Sequence, residues 1–121
     1  SNVNFWKTRT RILYALSQID GSYLTPAIDS LEKARSLSPT DPKIRYNLAL
    51  LHDALDNNEK AYSELDNTIK LKIDYRDAYL ARAVFYARDG EKEKAKLDLN
   101  FILQRINPDD IEAKQQLEEL E

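Results

Sequence analysis

The stretches "YNLALLHDALDNNEKAY" at residues 46–62 and "YLARAVFYARDGEKEKAK" at residues 79–96 follow the same plan. In each, apolar residues at helical spacing precede a short polar turn, and a charged run then leads to a Lys-Ala pair. Ala61 and Ala95 belong to these pairs, and a step of equal length back from Ala61 reaches Ala27. A leucine follows each alanine after four residues, at Leu31, Leu65 and Leu99. This spacing, a period of about 34 residues, is that of a stacked helix-turn-helix repeat.

An apolar stripe runs along the first helix of the second repeat, and another along the helix that follows it. The first stripe comprises Ile44, Leu48, Leu51 and Leu55, and the second comprises Leu65, Ile69 and Leu71. Steps of three and four residues place side chains on one face of an α-helix. Of these residues, Leu48, Leu51 and Leu55 are expected to point into the stack.

Turn and capping residues predict where the helices begin and end. "DNN" at 56–58 and "DG" at 89–90 are turns, because Asn and Gly accept the left-handed conformation that ends a helix. "TPA" at 25–27, "TDP" at 40–42 and "NP" at 107–108 are starts, where a polar side chain caps free N–H groups and Pro takes the first helical position. We predict seven helices, at 3–20, 25–37, 42–56, 59–72, 76–89, 92–106 and 109–120.

Composition fits an elongated helical protein of one domain. Of the 121 residues, 42% are hydrophobic and 32% charged, with two glycines, four prolines and no cysteine. The net charge of −3 and the lack of a basic stripe argue against nucleic-acid binding. No apolar run approaches the roughly 18 residues of a membrane span. The chain also lacks methionine and opens with "SN", so we expect a segment excised from a longer protein, with residues 1–2 as a tag remnant.

Few residues suit catalysis. His52 is the only histidine, and its neighbour Asp53 points elsewhere, because adjacent helix residues do not face each other. The carboxylates Asp109, Asp110 and Glu112 suit a helix N-terminus better than a calcium loop. The sequence therefore predicts no catalytic residue, no cofactor, no metal site and no enzymatic activity.

The N-terminal segment is basic and aromatic. Residues 1–19 include Lys7, Arg9 and Arg11 but no acid, and Phe5 and Trp6 stand beside them. Such a segment is typical of a chain leaving a membrane surface. The alternative is a first solenoid helix that buries both aromatic side chains. We favour this alternative, because an ordinary helical stripe continues through Ile12, Leu16 and Ile19.

The chain resembles the tetratricopeptide repeat family along essentially its whole length. The segment "YNLALLHDALDNNEKAYSELDNTIKL" is similar to the family pattern, in which Ala49 and Ala83 would let two helices approach, with Ala61 and Ala95 on the opposing helices. Pro39 corresponds to the proline that ends a repeat. The resemblance implies an all-α, right-handed α-solenoid. Its units would span 3–41, 42–75 and 76–108, followed by a polar C-terminal capping helix at 109–121.

The sequence departs from the family pattern at several positions. Arg45 replaces a bulky aromatic residue, which Tyr79 retains, and Ile73 stands where proline is usual. Pro108 falls one residue late. An extra residue in the first turn, "DGSYLTPA", makes the register of the first helix ambiguous.

Members of this family hold peptides or helices in a concave groove lined by the first helix of each unit. The resemblance therefore implies a protein-protein interaction module with a protein or peptide partner. Helical geometry predicts one groove surface across the second and third units, with Tyr46, Leu50, Leu80 and Val84 as its apolar strip. The full set of candidate partner-binding residues is Tyr46, Asn47, Leu50, Asp53, Leu80, Ala81, Val84 and Arg88.

One subclass of the family binds the carboxyl-terminal tails of heat-shock chaperones through a clamp of Lys, Asn and Arg. Asn47 corresponds to the second Asn of that clamp. Asp77 and Ala81 stand where the clamp needs Lys and Arg, so a terminal carboxylate would meet a negative charge. We therefore expect no chaperone-tail clamp.

The alternative function is structural, as a spacer or homo-oligomerisation element. "SPTDPKIRYNLALL" and "ILQRINPDD" resemble the carboxyl-terminal repeats of bacterial membrane proteins of the O-antigen polymerase or ligase type. That resemblance implies a membrane-anchored parent protein and an extracytoplasmic domain. A cytoplasmic domain is equally compatible with the residues themselves. A groove with an apolar centre would support peptide binding, whereas a polar groove with an apolar patch elsewhere would support the structural role.

Overall fold

The computed structural model describes residues 2–121, which form seven α-helices and contain no β-strand. The helices are α1 (Val3–Ser17), α2 (Leu24–Leu37), α3 (Pro42–Ala54), α4 (Asn58–Leu71), α5 (Arg76–Arg88), α6 (Lys92–Phe101) and α7 (Ile111–Leu120). Of the suspected tag remnant, Ser1 lies outside the described residues. Asn2 accepts a hydrogen bond from the Asn4 N–H at 2.8 Å and caps α1.

Most helix boundaries differ from the sequence-based ones by one to five residues, and local structure explains three of these differences. Helix α1 ends at Ser17 rather than 20, since Asp20 caps a 3₁₀ turn at Gly21–Tyr23. Helix α6 ends at Phe101, and the predicted continuation is a π-helical turn at Ile102–Ile106. Helix α7 begins at Ile111 rather than 109, because Asp110 accepts a hydrogen bond from the Ala113 N–H at 3.1 Å.

The chain divides into two compact units, with the boundary between Leu71 and Lys72. The first unit holds α1 to α4, and its core lies between α2 and α3. Ile28 and Leu31 of α2 pack there with Leu48 of α3, and Trp6 of α1 covers one side. Leu48 is fully buried, which contributes about 1.5–3 kcal/mol to stability.

The second unit holds α5 to α7. Tyr79 of α5 stacks on Phe101 of α6, with ring centroids 4.4 Å apart, and its hydroxyl donates to the Ile73 carbonyl at 2.6 Å. Arg76 donates to both carboxylate oxygens of Asp110 at 2.7 and 2.9 Å. This guanidinium lowers the pKa of Asp110 below its usual value, and it joins the start of α5 to the cap of α7.

The small residues of the repeat are buried in the helical stack. Ala49, Ala61, Ala83 and Ala95 are all buried, and Ala27 is fully buried at the corresponding position of the first repeat. A larger side chain at these positions would force the helix axes apart. The alanine pattern therefore predicted buried positions correctly, and close helix contact at them stays a prediction.

A polar contact also recurs with the repeat. Ser30, Glu64 and Asp98 lie one repeat period apart, on the second helix of each hairpin, and each accepts a hydrogen bond from an arginine of the first helix. The donors are Arg9, Arg45 and Arg82, at 3.1, 3.2 and 2.9 Å. Arg45 occupies the position at which the next repeat has Tyr79. Arg45 connects the two helices of its hairpin through Glu64, whereas Tyr79 connects those of its own hairpin by stacking on Phe101.

Several apolar residues expected in the core are exposed. Leu55 and Leu71 are 41% and 40% exposed, because each lies at the end of its helix, beyond the packed turns. Phe5 is 57% exposed, so the expectation that α1 buries both of its N-terminal aromatic side chains is wrong for Phe5, while Trp6 is partly buried. The supposed core stripe on α1 is also wrong. Its members Ile12, Leu16 and Ile19 are exposed.

Helix α1 faces the core with a different set of residues. Val3, Trp6 and Leu13 pack against the core, and Thr10 is buried between them, its hydroxyl bonded to the Trp6 carbonyl at 2.7 Å. The buried face thus includes a polar residue at its centre. The sequence pattern favoured the more apolar face, and the structure turns that face outward.

Candidate functional site

A groove of about 440 Å³ lies within the first unit, between α1 and α3. Leu31, Ile44 and Leu51 are buried side chains at its floor, and Leu50 and Ala54 continue the apolar surface along α3. Such a volume is in the range of sites that hold a few side chains of a ligand. The centre of the groove is therefore apolar.

Cations surround this apolar floor. Lys7 and Arg11 lie one helical turn apart on α1, and Lys43 and Asn47 lie one turn apart on α3. Lys7 forms an ion pair with Asp41 at 3.1 Å. Within residues 2–121, the side chains of Arg11, Lys43 and Asn47 have no hydrogen-bond or ion-pair partner. These donors are therefore available to an acceptor on a ligand.

No acidic side chain of the described residues lines the groove. The adjacent Asp41 both caps α3, through the Lys43 N–H at 3.0 Å, and pairs with Lys7. Its charge is thus compensated locally. The groove surface has a net positive charge although the whole chain has a net charge of −3.

The sequence-predicted groove residues on α3 are only partly brought together. Asn47 and Leu50 line the groove, and Leu50 is 38% exposed. Tyr46 and Asp53 are half-buried on the same helix and do not line it. Both of these side chains make interactions within the chain, so they are less available to a ligand.

The other four predicted residues belong to α5 in the second unit. Leu80 and Ala81 are half-buried, and Val84 is 40% exposed. Arg88 bonds to the carboxylate of its neighbour Asp89 at 3.0 Å. The continuous strip predicted across α3 and α5 therefore stays a prediction.

Sequence reasoning missed the contribution of α1. Lys7, Thr10, Arg11 and Tyr14 all line the groove, and none was among the candidates. The sequence does contain a signal for this groove. Lys7 and Arg11 on the first helix of one repeat, like Lys43 and Asn47 on the first helix of the next, are polar residues spaced four apart. The ambiguous register of the first repeat concealed it.

A second, polar pocket lies among α2, α3 and α4 and contains His52. His52 is 8% exposed, and its Nδ1 has no hydrogen-bond partner among the described residues. Burial, followed by the nearby charge of Lys60, lowers the pKa of His52 below its usual value, while Glu32 and Glu64 oppose that shift. The imidazole is therefore held neutral inside the hairpin stack.

Within residues 2–121, no group of His, Asp or Glu side chains is arranged to hold a metal ion. In the same part of the chain, no helix combines the length and the apolar character that crossing a bilayer requires.

Comparison of the sequence with known proteins gives one informative relative. The chain is 35% identical over 89 residues to a UDP-N-acetylglucosamine--peptide N-acetylglucosaminyltransferase of Giardia intestinalis. The match includes 74% of this chain but only 6% of that protein. No family model matches the sequence.

Comparison of the structure with solved structures gives much broader agreement. Yeast Tom70 superimposes with a TM-score of 0.83 and 20% identity, over 98% of this chain and 23% of that one. The first tetratricopeptide repeat domain of Spaghetti (RPAP3), bound to the HSP90 peptide SRMEEVD, superimposes with a TM-score of 0.73 and 23% identity. That match covers 93% of this chain and 90% of the other.

Proposed function

Because the chain is a tetratricopeptide repeat domain by its fold, we propose that it is a protein-interaction module that binds a peptide between α1 and α3. The observation that carries the proposal is the groove itself. It combines an apolar floor with the unpaired side chains of Arg11 and Lys43, and no acid among residues 2–121 lines it. In this function the chain binds a peptide and catalyses no reaction.

The chemistry of the groove defines the peptide. Arg11 and Lys43 favour carboxylates, because charge-assisted hydrogen bonds are stronger than neutral ones. Leu50 and Ala54 favour an aliphatic side chain beside those carboxylates. We therefore expect an acidic segment that also carries Leu, Val or Ile, bound as an extended strand or a helix.

The RPAP3 domain supports this chemistry, since its HSP90 peptide SRMEEVD contains carboxylates next to valine and methionine. The terminal carboxylate should matter less for this chain. Asp77 and Ala81 replace the Lys and Arg of the chaperone-tail clamp, and Asp77 pairs with Arg76 at 2.9 Å. Amidation of the peptide C-terminus should therefore weaken binding less than removal of its acidic side chains does.

The proposal extends to the second unit through the remaining predicted residues. Within that unit, Leu80, Ala81, Val84 and Arg88 of α5 are proposed to contact a protein or peptide partner.

Two fluorescent peptide pools test the proposal by anisotropy. One pool contains short peptides of Leu, Val, Asp and Glu, and the matched pool has Lys and Arg in place of the acids. The acidic pool should bind and the basic pool should not. Arg11→Glu combined with Lys43→Glu should weaken binding about a hundredfold or more, since each of the two charge-assisted hydrogen bonds contributes about 1.5–3 kcal/mol.

Lys33→Glu is the matched control, because Lys33 is an exposed lysine of the same unit that does not line the groove. Its affinity for the acidic pool should stay close to that of the unsubstituted chain. Equal binding of the two pools, or equal losses in the control and the double variant, would show that the groove charges do not select the ligand.

A further inference from the structure

Helix α1 presents an apolar stripe on the side away from its core-facing residues. Phe5, Ile12 and Leu16 are 57%, 56% and 37% exposed, and Ile19, just past the end of the helix, is 88% exposed. Thr8 and Ala15 are exposed on the same side. This stripe, defined as these six residues, extends beyond the peptide groove, none of whose lining residues it includes.

The spacing of the stripe is that of a helix-helix seam. Phe5, Ile12 and Ile19 follow each other at steps of seven residues, with Leu16 at an intermediate position. Apolar residues at such steps keep one line of contact facing a partner helix. Thr8 and Ala15, the small residues between them, allow close approach of the partner backbone.

The stripe is also symmetric about Ile12. Phe5 and Ile19 lie seven residues on either side of it, and Thr8 and Leu16 lie four residues on either side. When two copies of α1 pair antiparallel with their Ile12 side chains at the centre, Phe5 of each copy faces Ile19 of the other. A small Thr8 then faces the larger Leu16. A two-fold interface requires this kind of self-complementary patch.

We propose that the stripe binds a second copy of this chain, through antiparallel pairing of the two α1 helices about Ile12. This goes beyond peptide binding, because it uses a different side of α1. It would leave the groove of each copy accessible along Lys7, Arg11 and Tyr14.

The charges of α1 distinguish a second copy from an acidic partner. Lys7 pairs with Asp41 and Arg9 bonds to Ser30, so these two cations are engaged inside their own chain. Arg11 lines the groove rather than the stripe. The six stripe residues are uncharged. In the antiparallel pair Arg9 of each copy would face Ala15 of the other, with its guanidinium held by Ser30 at 3.1 Å.

The size of the stripe sets the strength of the dimer. The helical part of the stripe, from Phe5 to Leu16, spans about 17 Å at 1.5 Å per residue, and Ile19 follows just past the helix. A single pair of helices of this length buries less than the roughly 1,200–2,000 Å² of a stable interface. The dimer should therefore be weak and reversible. It should tighten as salt rises, because salt screens the repulsion between two like-charged chains.

Sedimentation equilibrium of the whole chain from low to high micromolar concentration is the first test. The average mass should rise from the 14.0 kDa of one chain towards twice that value, and further at higher salt. Ile12→Glu places two carboxylates at the symmetry axis and should keep the chain monomeric. Circular dichroism and binding of the acidic peptide pool should stay unchanged in this variant, because Ile12 lies outside the core and the groove.

Disulfide cross-linking tests the symmetry, since the chain has no cysteine of its own. Ile12→Cys should cross-link rapidly on mild oxidation, whereas Leu97→Cys, at an accessible position on α6 with 72% exposure, should not. A mixture of Phe5→Cys and Ile19→Cys chains should yield mixed dimers in preference to like pairs.

Three results would overturn the proposal. The chain could remain monomeric at every concentration, Leu97→Cys could cross-link as fast as Ile12→Cys, or Phe5→Cys could pair with itself. A monomeric chain that binds vesicles containing phosphatidylserine, and loses that binding in Ile12→Glu, would assign the stripe to an anionic membrane surface instead.

Discussion

At the residue scale, the two later hairpins share one left-handed position. Asp56 and Gly90 lie one repeat period apart, and their φ angles are +58° and +84°. In each turn the next N–H donates back to the helix, Asn57 to the His52 carbonyl at 2.8 Å and Glu91 to the Tyr86 carbonyl at 2.7 Å. The repeat thus keeps a backbone conformation while the residue type changes from Asp to Gly.

The stability cost of replacing Gly90 should therefore depend on its positive φ angle. Gly90→Ala is expected to destabilise the chain by about 1–2 kcal/mol, because a Cβ is strained in the left-handed region. Gly21→Ala is the control, since both glycines have open space around them but only Gly90 has a positive φ. Chemical denaturation of the two variants measures the difference. Equal stability of both variants would show that the turn adjusts without cost.

His52 provides a second prediction at this scale. Because its folded-state pKa is lowered by burial, the unfolded chain binds a proton at a higher pH than the folded one. Its stabilising contribution is complete above the unfolded pKa of about 6.5 and is lost as the pH falls through the lower folded pKa. Melting temperatures measured from pH 8 to pH 5 should fall in the acidic half of that range.

His52→Ala should reduce stability at neutral pH by on the order of 1–3 kcal/mol and should flatten the pH dependence. Peptide binding should be unaffected, since His52 does not line the groove. If the melting temperatures of the variant and of the unsubstituted chain change with pH in the same way, His52 is not the titrating group. Turnover of any substrate that disappears in this variant would contradict the expected absence of catalysis.

At the scale of the elements, buried alanines set the distance between the paired helices. Ala83 of α5 is 1% exposed, and Ala95 of α6 is fully buried. Ala83→Leu should overpack this hairpin and cost on the order of 1–3 kcal/mol. Thermal unfolding measures the loss. Ala87→Leu on the same helix, where the side chain is only half-buried, should cost less, and an unchanged melting temperature for Ala83→Leu would argue against close packing there.

Helix α1 shows how element-scale reasoning fails at the edge of a repeat array. Its more apolar face, with Ile12 and Leu16, was expected to be buried, yet the face with Thr10 packs against the core. A helix with two apolar faces can bury either one, and periodicity does not distinguish them. The contacts of Trp6 and Leu13 with the core decide the orientation.

At the scale of the whole molecule, each compact unit carries some of the predicted ligand-binding residues. Leu50→Glu tests the first unit and Val84→Glu the second, and these residues are 38% and 40% exposed. Neither charge should unfold the chain, because neither side chain is in a core. Circular dichroism should stay helical, while a pull-down from the source cell should lose the partner with each variant. Unfolding of both variants would place these residues in cores and refute the groove assignment.

A differing response of the two variants would also be informative. If only Leu50→Glu releases the partner, the ligand is confined to the groove between α1 and α3. Leu48→Glu is the unfolding control, since Leu48 is fully buried in the first core.

The repeat period, the alanines and the turn residues determined seven helices and their pairing from sequence alone, because these features depend on contacts close in the chain. Comparison with solved structures confirms the all-α tetratricopeptide repeat fold. Which face of α1 is buried was decided only by tertiary packing. The same packing brings Lys7 and Arg11 beside Lys43 and Asn47, which are distant from them in the sequence. Their shared groove depends on the register between two helices, which the extra turn residue of the first repeat had left undetermined.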